Sequence, residues 1–420
     1  MKRTLSAVAV LSAAASFACN VQASPIQLNE AFDYNAYILG DMTGNQSDVE
    51  GRLAVGGSLT LNHYDIGLLL EPDLQSSVLY SGGSMTLSNS LINNGQTTSG
   101  GSLSASQSEF SGGVNAAGSV AITEAKVAQG DIHADGDVDL YRAEVTNGNV
   151  ISGGNVSLTE AGVKNGDVSA SGSVSPAVNV ENGTVSQYAS VTPDIAPLDF
   201  DAINREVFAL SSYLGGLSAN GTTTVRCHGG ISCSEVGASA YDITFTGSDS
   251  LNIFNVDADW LSDPGKSVTF DFSTTSYNII NVYGDTVSLF ETGFYSTVLG
   301  GKIEDNWNSI RNEEYTRHDG TYTNNVLFNF VDTTDLTLAG IGFKGSILAP
   351  FADTNFYNGH IDGNLIVGSL SSPDGEYTGQ VNDYRFGDIK VSEPASVLLF
   401  GVVGAILFSR RRTLRLQRKA

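Results

Sequence analysis

The chain has 420 residues, 41% of them hydrophobic, with 47 glycines and a formal net charge of −24. Eight of its 21 basic residues lie in the terminal segments, at Lys2, Arg3 and between Arg410 and Lys419, so the 45 acidic residues dominate everything between. Such a surface excludes nucleic acid and anionic membrane as partners; it suits solubility and, secondarily, divalent cations.

In chain order, Lys2 and Arg3, the apolar run Leu5 to Ala18, and Val21-Gln22-Ala23 before Ser24 form a secretory signal over residues 1–23. Cys19 does not read as a lipidation site, because Ser16-Phe17-Ala18 lacks a leucine three residues upstream. The segment from Ala31 opens a repetitive region whose coils run from Gly56 to Val191. Its leading glycines are Gly95, Gly112, Gly130, Gly148, Gly166 and Gly183, spaced by 17, 18, 18, 18 and 17 residues. Val114, Ile132, Val150, Val168 and Val185 stand two positions after a leading glycine. Leu103, Val120, Val138, Val156 and Val174 stand eight after, and Phe110, Val127, Val145 and Val163 fifteen after.

Three apolar columns at one period mean stacked coils, each burying its apolar side chains only against its neighbours. Eighteen residues at about 3.3 Å each give a perimeter of roughly 60 Å, enough for three short faces around a filled core. The expected fold is therefore all-β: a parallel β-helix, or β-solenoid, with about 18 residues per coil. Its coils are expected to be right-handed, from the crossover preference of parallel strands.

The prolines of Val191 to Pro197 interrupt the ladder. A helix is expected over about 199–217, capped by Asp199 or Asp201, with Ile203, Val207, Leu210, Leu214 and Leu217 on one face packed along the solenoid. From 222 to 390 the pattern returns to β, with more aromatic residues and no strict repeat. One echo links the two halves: Asp48 to Leu59 (DVEGRLAVGGSL) matches His360 to Leu370 (HIDGNLIVGSL), which predicts that these segments are neighbouring coils.

Once the signal is removed, Cys227 and Cys233 are the two cysteines left. An even count in an exported chain favours a disulfide closed by the short loop CHGGISC. A zinc site from Cys227, His228 and Cys233 lacks a fourth ligand nearby. Asp257, Asp259 and Asp263 lie close enough in sequence to be calcium candidates, though they match no calcium-loop pattern, and solvated carboxylates are the plainer reading. No other cofactor is implied.

At the C-terminus, Ser392-Glu393-Pro394 precedes the apolar run Val397 to Phe408 and then Arg410-Arg411-Arg412. This reads as a transmembrane segment at 395–409 with a cytoplasmic basic tail, giving transient inner-membrane association. The order resembles the PEP-CTERM sorting signal of Gram-negative bacteria over residues 391–420, with Ser392 in place of the first proline. That resemblance implies processing by an exosortase near Glu393-Pro394. Ala31 to Gly67 (AFDYNAYILGDMTGNQSDVEGRLAVGGSLTLNHYDIG) and Gly342 to Leu370 (GFKGSILAPFADTNFYNGHIDGNLIVGSL) resemble the choice-of-anchor A domain family. This pair brackets residues 24–390 and implies an adhesin-like extracellular module, with no catalytic residues to carry over.

No catalytic motif stands out. The five histidines are scattered, and there is no GxSxG, HExxH or phosphate-binding glycine loop. Asp135, Asp137 and Asp139 alternate and should share one face. Arg142 with Asp137 and Asp139 is the constellation that a polysaccharide-cleaving β-helix enzyme would use, by fold analogy alone. An ice- or mineral-binding face is a further alternative, but outward positions that mix Ser, Asp, Asn, Glu and Arg lack a regular threonine grid. The reading is a non-catalytic adhesin or matrix protein at the cell surface or in the extracellular matrix, binding polysaccharide or a surface protein through a solenoid face.

Overall fold

The computed structural model describes residues 26–387, apart from 177, 178, 194, 231, 232, 234–237, 263 and 305–317. The fold is the expected parallel solenoid. Three short strands per coil alternate with corners, and each strand pairs in parallel with its equivalent in the coils on either side. On the first face the ladder runs through Leu53–Val55, Ser77–Ser81, Gln96–Ser99, Val114–Ala116, Ile132–Ala134, Val150–Ser152 and Val168–Ala170. The second face stacks Leu103, Val120, Val138, Val156 and Val174. The third stacks Phe110, Val127, Val145 and Val163. All three columns are buried, so the eighteen-residue period is the period of the core.

The chain does not build this stack from one end to the other. Its first strand, Ala36–Ile38, pairs with Leu53–Val55 on one side and with Leu365–Val367 on the other. The N-terminal coil therefore sits in the middle. From it the first half grows outward to Val185–Ser186. The chain then returns along the outside, and the second half grows inward through Leu251–Asp257, Tyr277–Tyr283, Val326–Phe330 and Ser346–Tyr357 until it meets the first half. The echoing segments are thus not neighbours, as their similarity suggests. One coil, whose strand on this face is Ala36–Ile38, lies between them.

Asn35 pins this seam. Its side-chain amide donates to Gly363 O (3.3 Å) and Asn382 O (3.0 Å), and its Oδ1 accepts from Gly51 N (3.1 Å). A second pin lies nearby on the third face. There Lys344, Asp362 and Asn382 occupy one column of adjacent rungs. Asp362 is buried and takes Lys344 Nζ (2.5 Å), His318 Nε2 (2.8 Å) and Asn382 Nδ2 (2.6 Å).

The return path is helix α1, Phe200–Gly215, capped by Asp199, whose Oδ1 accepts from Ala202 N (3.0 Å). Ile203, Val207, Leu210 and Leu214 recur at three- and four-residue steps and are buried on the outer side of the first face, with Tyr37, Ala54, Leu348 and Ile366. Asn204 Oδ1 accepts from Tyr37 Oη (2.8 Å), and Asn329 exchanges two bonds with Ser211. A short helix, Ala258–Ser262, follows Leu251–Asp257. A five-stranded sheet from Thr222–Cys227 to Gly301–Lys302 flanks the second half.

The signal at 1–23, the Glu393-Pro394 motif and the apolar run at 395–409 lie outside the described residues. Among the described residues no helix is long and apolar enough to cross a membrane. For the described residues this corrects the transmembrane expectation: α1, at 16 residues, commits its apolar stripe to the solenoid.

Candidate functional site

Strands alternate inward and outward side chains, so every inward column on the second face is flanked by outward columns. Register brings Thr43, Thr60, Thr86 and Ser104 into one of these, and Asn45, Asn62, Ser88 and Ser106 into the other. Rungs about 4.8 Å apart, and side chains two residues apart along each strand, make this a flat grid of hydroxyls and amides. Thr43, Thr60, Thr86 and Ser104 are exposed. The second column is tied along the axis: Asn62 Nδ2 donates to Asn45 Oδ1 (3.0 Å), and Ser88 and Ser106 share a bond (3.2 Å).

The grid also crosses the seam. Leu370 pairs with Met42, which places Ser371 beside Thr43, and Asn355 and Thr337 continue the column into the second half. Ser371 Oγ donates to Asn355 Oδ1 (3.2 Å). In the other direction the column becomes Ala121, Asp139 and Ser157. The threonine alignment is therefore more regular than the sequence suggests. The insertion after Ile66 stretches the Thr60-to-Thr86 step to 26 residues, which hides it from an eighteen-residue phase.

Next to this face runs a charged corner. Gln46, His63, Asn89, Gln107, Glu124, Arg142 and Glu160 each turn the chain there with φ near +50°, one per coil. Arg142 bridges Glu160 (2.8 Å) and Glu124 (3.3 Å), and Lys164 pairs with Glu144 (2.6 Å). These residues line a shallow groove of about 960 Å³. Because Arg142 is committed to the two glutamates, it does not join Asp137 and Asp139.

Asp137 sits at the opposite corner, where its Oδ1 accepts from Asn155 N (2.6 Å) of the next coil, while Asp139 lies on the flat face. The pattern repeats: Asp131 Oδ1 accepts from Asn149 N, Asn149 Oδ1 from Asp167 N, and Asp167 Oδ1 from Thr184 N (2.7, 2.9 and 2.7 Å). Asp131, Asp137 and Asp167 thus cap the glycine corners of the following coil. The enzyme constellation drawn from Arg142, Asp137 and Asp139 is not assembled.

Of the calcium candidates, Asp257 closes its strand, and its Oδ1 accepts from Asp259 N (3.0 Å) at the start of the short helix; Asp263 lies outside the described residues. Among the described residues no cluster of three His, Cys, Asp or Glu side chains is placed to hold a metal ion. Cys227 and Cys233 are joined as a disulfide, with Cα atoms 5.5 Å apart.

No curated protein matches the chain. Among solved structures, it is similar to "The structure of a possible adhesin C-terminal domain from Caldicellulosiruptor kronotskyensis", with 10% identity, 89% of this chain and 98% of that one covered, and a TM-score of 0.37. It is also similar to "Crystal structure of ice binding protein from an Antarctic bacterium Flavobacteriaceae", with 12% identity, coverage of 85% and 97%, and a TM-score of 0.24. The family model described as "Putative Ice-binding-like adhesive domain" matches residues 27–137 and 101–379. Those matches span nearly all of the solenoid, and the chain belongs to this family of ice-binding-like adhesive domains.

Proposed function

We propose that the chain is an exported adhesive module that holds its cell to a matrix polymer or a neighbouring surface through the flat hydroxyl and amide grid. The observation that carries this reading is the continuity of the grid: two outward columns stay in register across consecutive coils, at a rung spacing fixed by the backbone. A rigid periodic face suits an extended partner that repeats on a similar scale, and many weak contacts then add to firm attachment. Export is supported by the signal-like residues 1–23 and by the Cys227–Cys233 disulfide. The choice-of-anchor A resemblance and Ser392-Glu393-Pro394 support sorting by an exosortase to the surface or matrix of a Gram-negative bacterium.

The test is complementation. A deletion strain should lose attachment or floc formation and regain it with the parent gene but not with a Thr43→Lys, Thr60→Lys, Thr86→Lys variant. Equal rescue by both would sink the reading. Intact mass of the surface-extracted protein reads the sorting step: a chain that keeps Arg410 to Ala420 would refute cleavage near Glu393-Pro394.

One observation favours a second reading, that the same face orders water. Thr43, Thr60 and Thr86 align a hydroxyl and a methyl on each of three successive rungs. Thermal hysteresis in the purified protein, lost in the triple lysine variant, would establish it; no hysteresis would end it.

A further inference from the structure

The first face carries a second surface, distinct from the flat grid. Its outward column runs Tyr37, Ala54, Tyr80, Thr98, Asn115, His133, one residue per coil. Helix α1 covers Tyr37 and Ala54. Beyond the start of the helix the column forms the floor of a groove of about 1070 Å³, with Thr98 and Asn115 buried at its base and Tyr80 and His133 partly exposed. One wall is the loop from Leu74 to Ser77 with Tyr34; the chain leading into α1, at Ala196 and Leu198, adds another part.

The polar groups of this floor are organised in advance. Ser77 and Thr98 share a bond (2.7 Å), Asn115 Nδ2 donates to Gln96 Oε1 (3.0 Å), and Gln96 Nε2 donates to Leu74 O (2.9 Å). Tyr34 and Tyr80 meet edge to face, with ring centroids 6.1 Å apart, and form the aromatic end. Arg52 Nε, buried beside them, makes no hydrogen bond among the described residues. A buried guanidinium N–H without an acceptor is costly, and an oxygen brought by a ligand would relieve it.

We infer that this groove binds a neutral oligosaccharide strand, with one sugar unit set against each coil. Sugar hydroxyls donate and accept at once, which matches a floor of hydroxyl and amide groups, and their C–H faces pack on tyrosine rings. The rungs repeat about every 4.8 Å, close to the length of one sugar unit in an extended chain. Other ligand classes fit less well. Glu30 and Asp131 offset Arg52, and the whole chain carries −24, so a polyanionic glycan or nucleic acid is disfavoured. The lining is too polar for a lipid. An added peptide strand has nothing to pair with, because the backbone groups of the floor are already paired between coils. The inference does not depend on the flat grid being the adhesive surface.

The test is isothermal titration of the mature protein with two probes, cellohexaose and chitohexaose. Saturable binding of at least one is expected, weakened about tenfold or more by Tyr80→Ala and by Asn115→Ala, and unchanged by Arg142→Ala at the charged corner. Circular dichroism melts of each variant confirm folding, and Asn115→Ala, which removes a different contact of the floor from Tyr80→Ala, guards against misfolding of either one. No saturable binding of either probe at millimolar concentration would overturn the inference. So would undiminished binding by the Tyr80→Ala, Asn115→Ala double variant, or loss of binding on Arg142→Ala. Attachment by the complemented strain is read separately, so the groove and the grid can fail independently.

Discussion

Replacing Asn35 by alanine should loosen the solenoid at its middle rather than at its ends. The side chain is fully buried and makes three hydrogen bonds to backbone groups of three segments far apart in sequence, at Gly51, Gly363 and Asn382. At about 1 kcal/mol net each, their loss costs about 3 kcal/mol, and more wherever a backbone group is left buried without water. The strand pairing of Ala36–Ile38 on both sides remains, so the stack should persist with a weakened seam. A solenoid need not unfold as one unit, so a single melting temperature would blur the effect. Hydrogen exchange locates it: amides of Leu53–Val55 and Leu365–Val367 should exchange faster in Asn35→Ala, while those of Val150–Ser152, several coils away, should not. Unchanged exchange at the seam, together with an unchanged urea midpoint, would refute the role given to Asn35 and weaken the placement of the N-terminal coil between the two halves.

Other outcomes follow from the same geometry. Burial pushes the Asp362 carboxyl up, but the His318 hydrogen bond and the charges of Lys344 and His360 outweigh it and hold the group below its ordinary 3.8. A depressed folded value means stabilisation that is present above pH 3.8 and lost as pH falls through the folded value. Asp362→Asn should therefore cost about 3–5 kcal/mol in urea unfolding at pH 7, and the gap to the parent should narrow below pH 3.8; a gap independent of pH would contradict the linkage. Val156→Asp puts a carboxylate into the column between Val138 and Val174 and should cost several kcal/mol. A variant that melts like the parent would overturn the inward assignment. Arg142→Ala, which removes only an exposed bridge between Glu124 and Glu160, should leave the thermal melt almost unchanged.

The core was legible in the sequence because Val114, Val138 and Val145, and their equivalents one coil on, recur at a period that only stacked coils explain. Helix α1 was legible for the same kind of reason: Asp199 caps it, and Ile203, Val207, Leu210 and Leu214 share one face. What the sequence hid depends on register between segments far apart. Ala36–Ile38 offers three residues and no repeat, yet it joins the halves. Thr60 and Thr86 lie outside the eighteen-residue phase, so their alignment appears only through strand pairing. Asp137 and Asp139 alternate as if for one face, but the chain turns at Gly136, and the two side chains serve different purposes. The oligosaccharide groove draws its lining from Glu30 to Leu198 and has no local motif at all.

In the proposed function the flat grid is the working surface, with corners and core as scaffold. Hydroxyl-radical footprinting of the mature protein adsorbed on isolated extracellular matrix tests this most directly. Protection should concentrate on Thr43 to Asn45, Thr60 to Asn62, Thr86 to Ser88 and Ser104 to Ser106, and should be weak at the Glu124–Arg142–Glu160 corner. Protection centred on that corner, or none on the four outward segments, would contradict it.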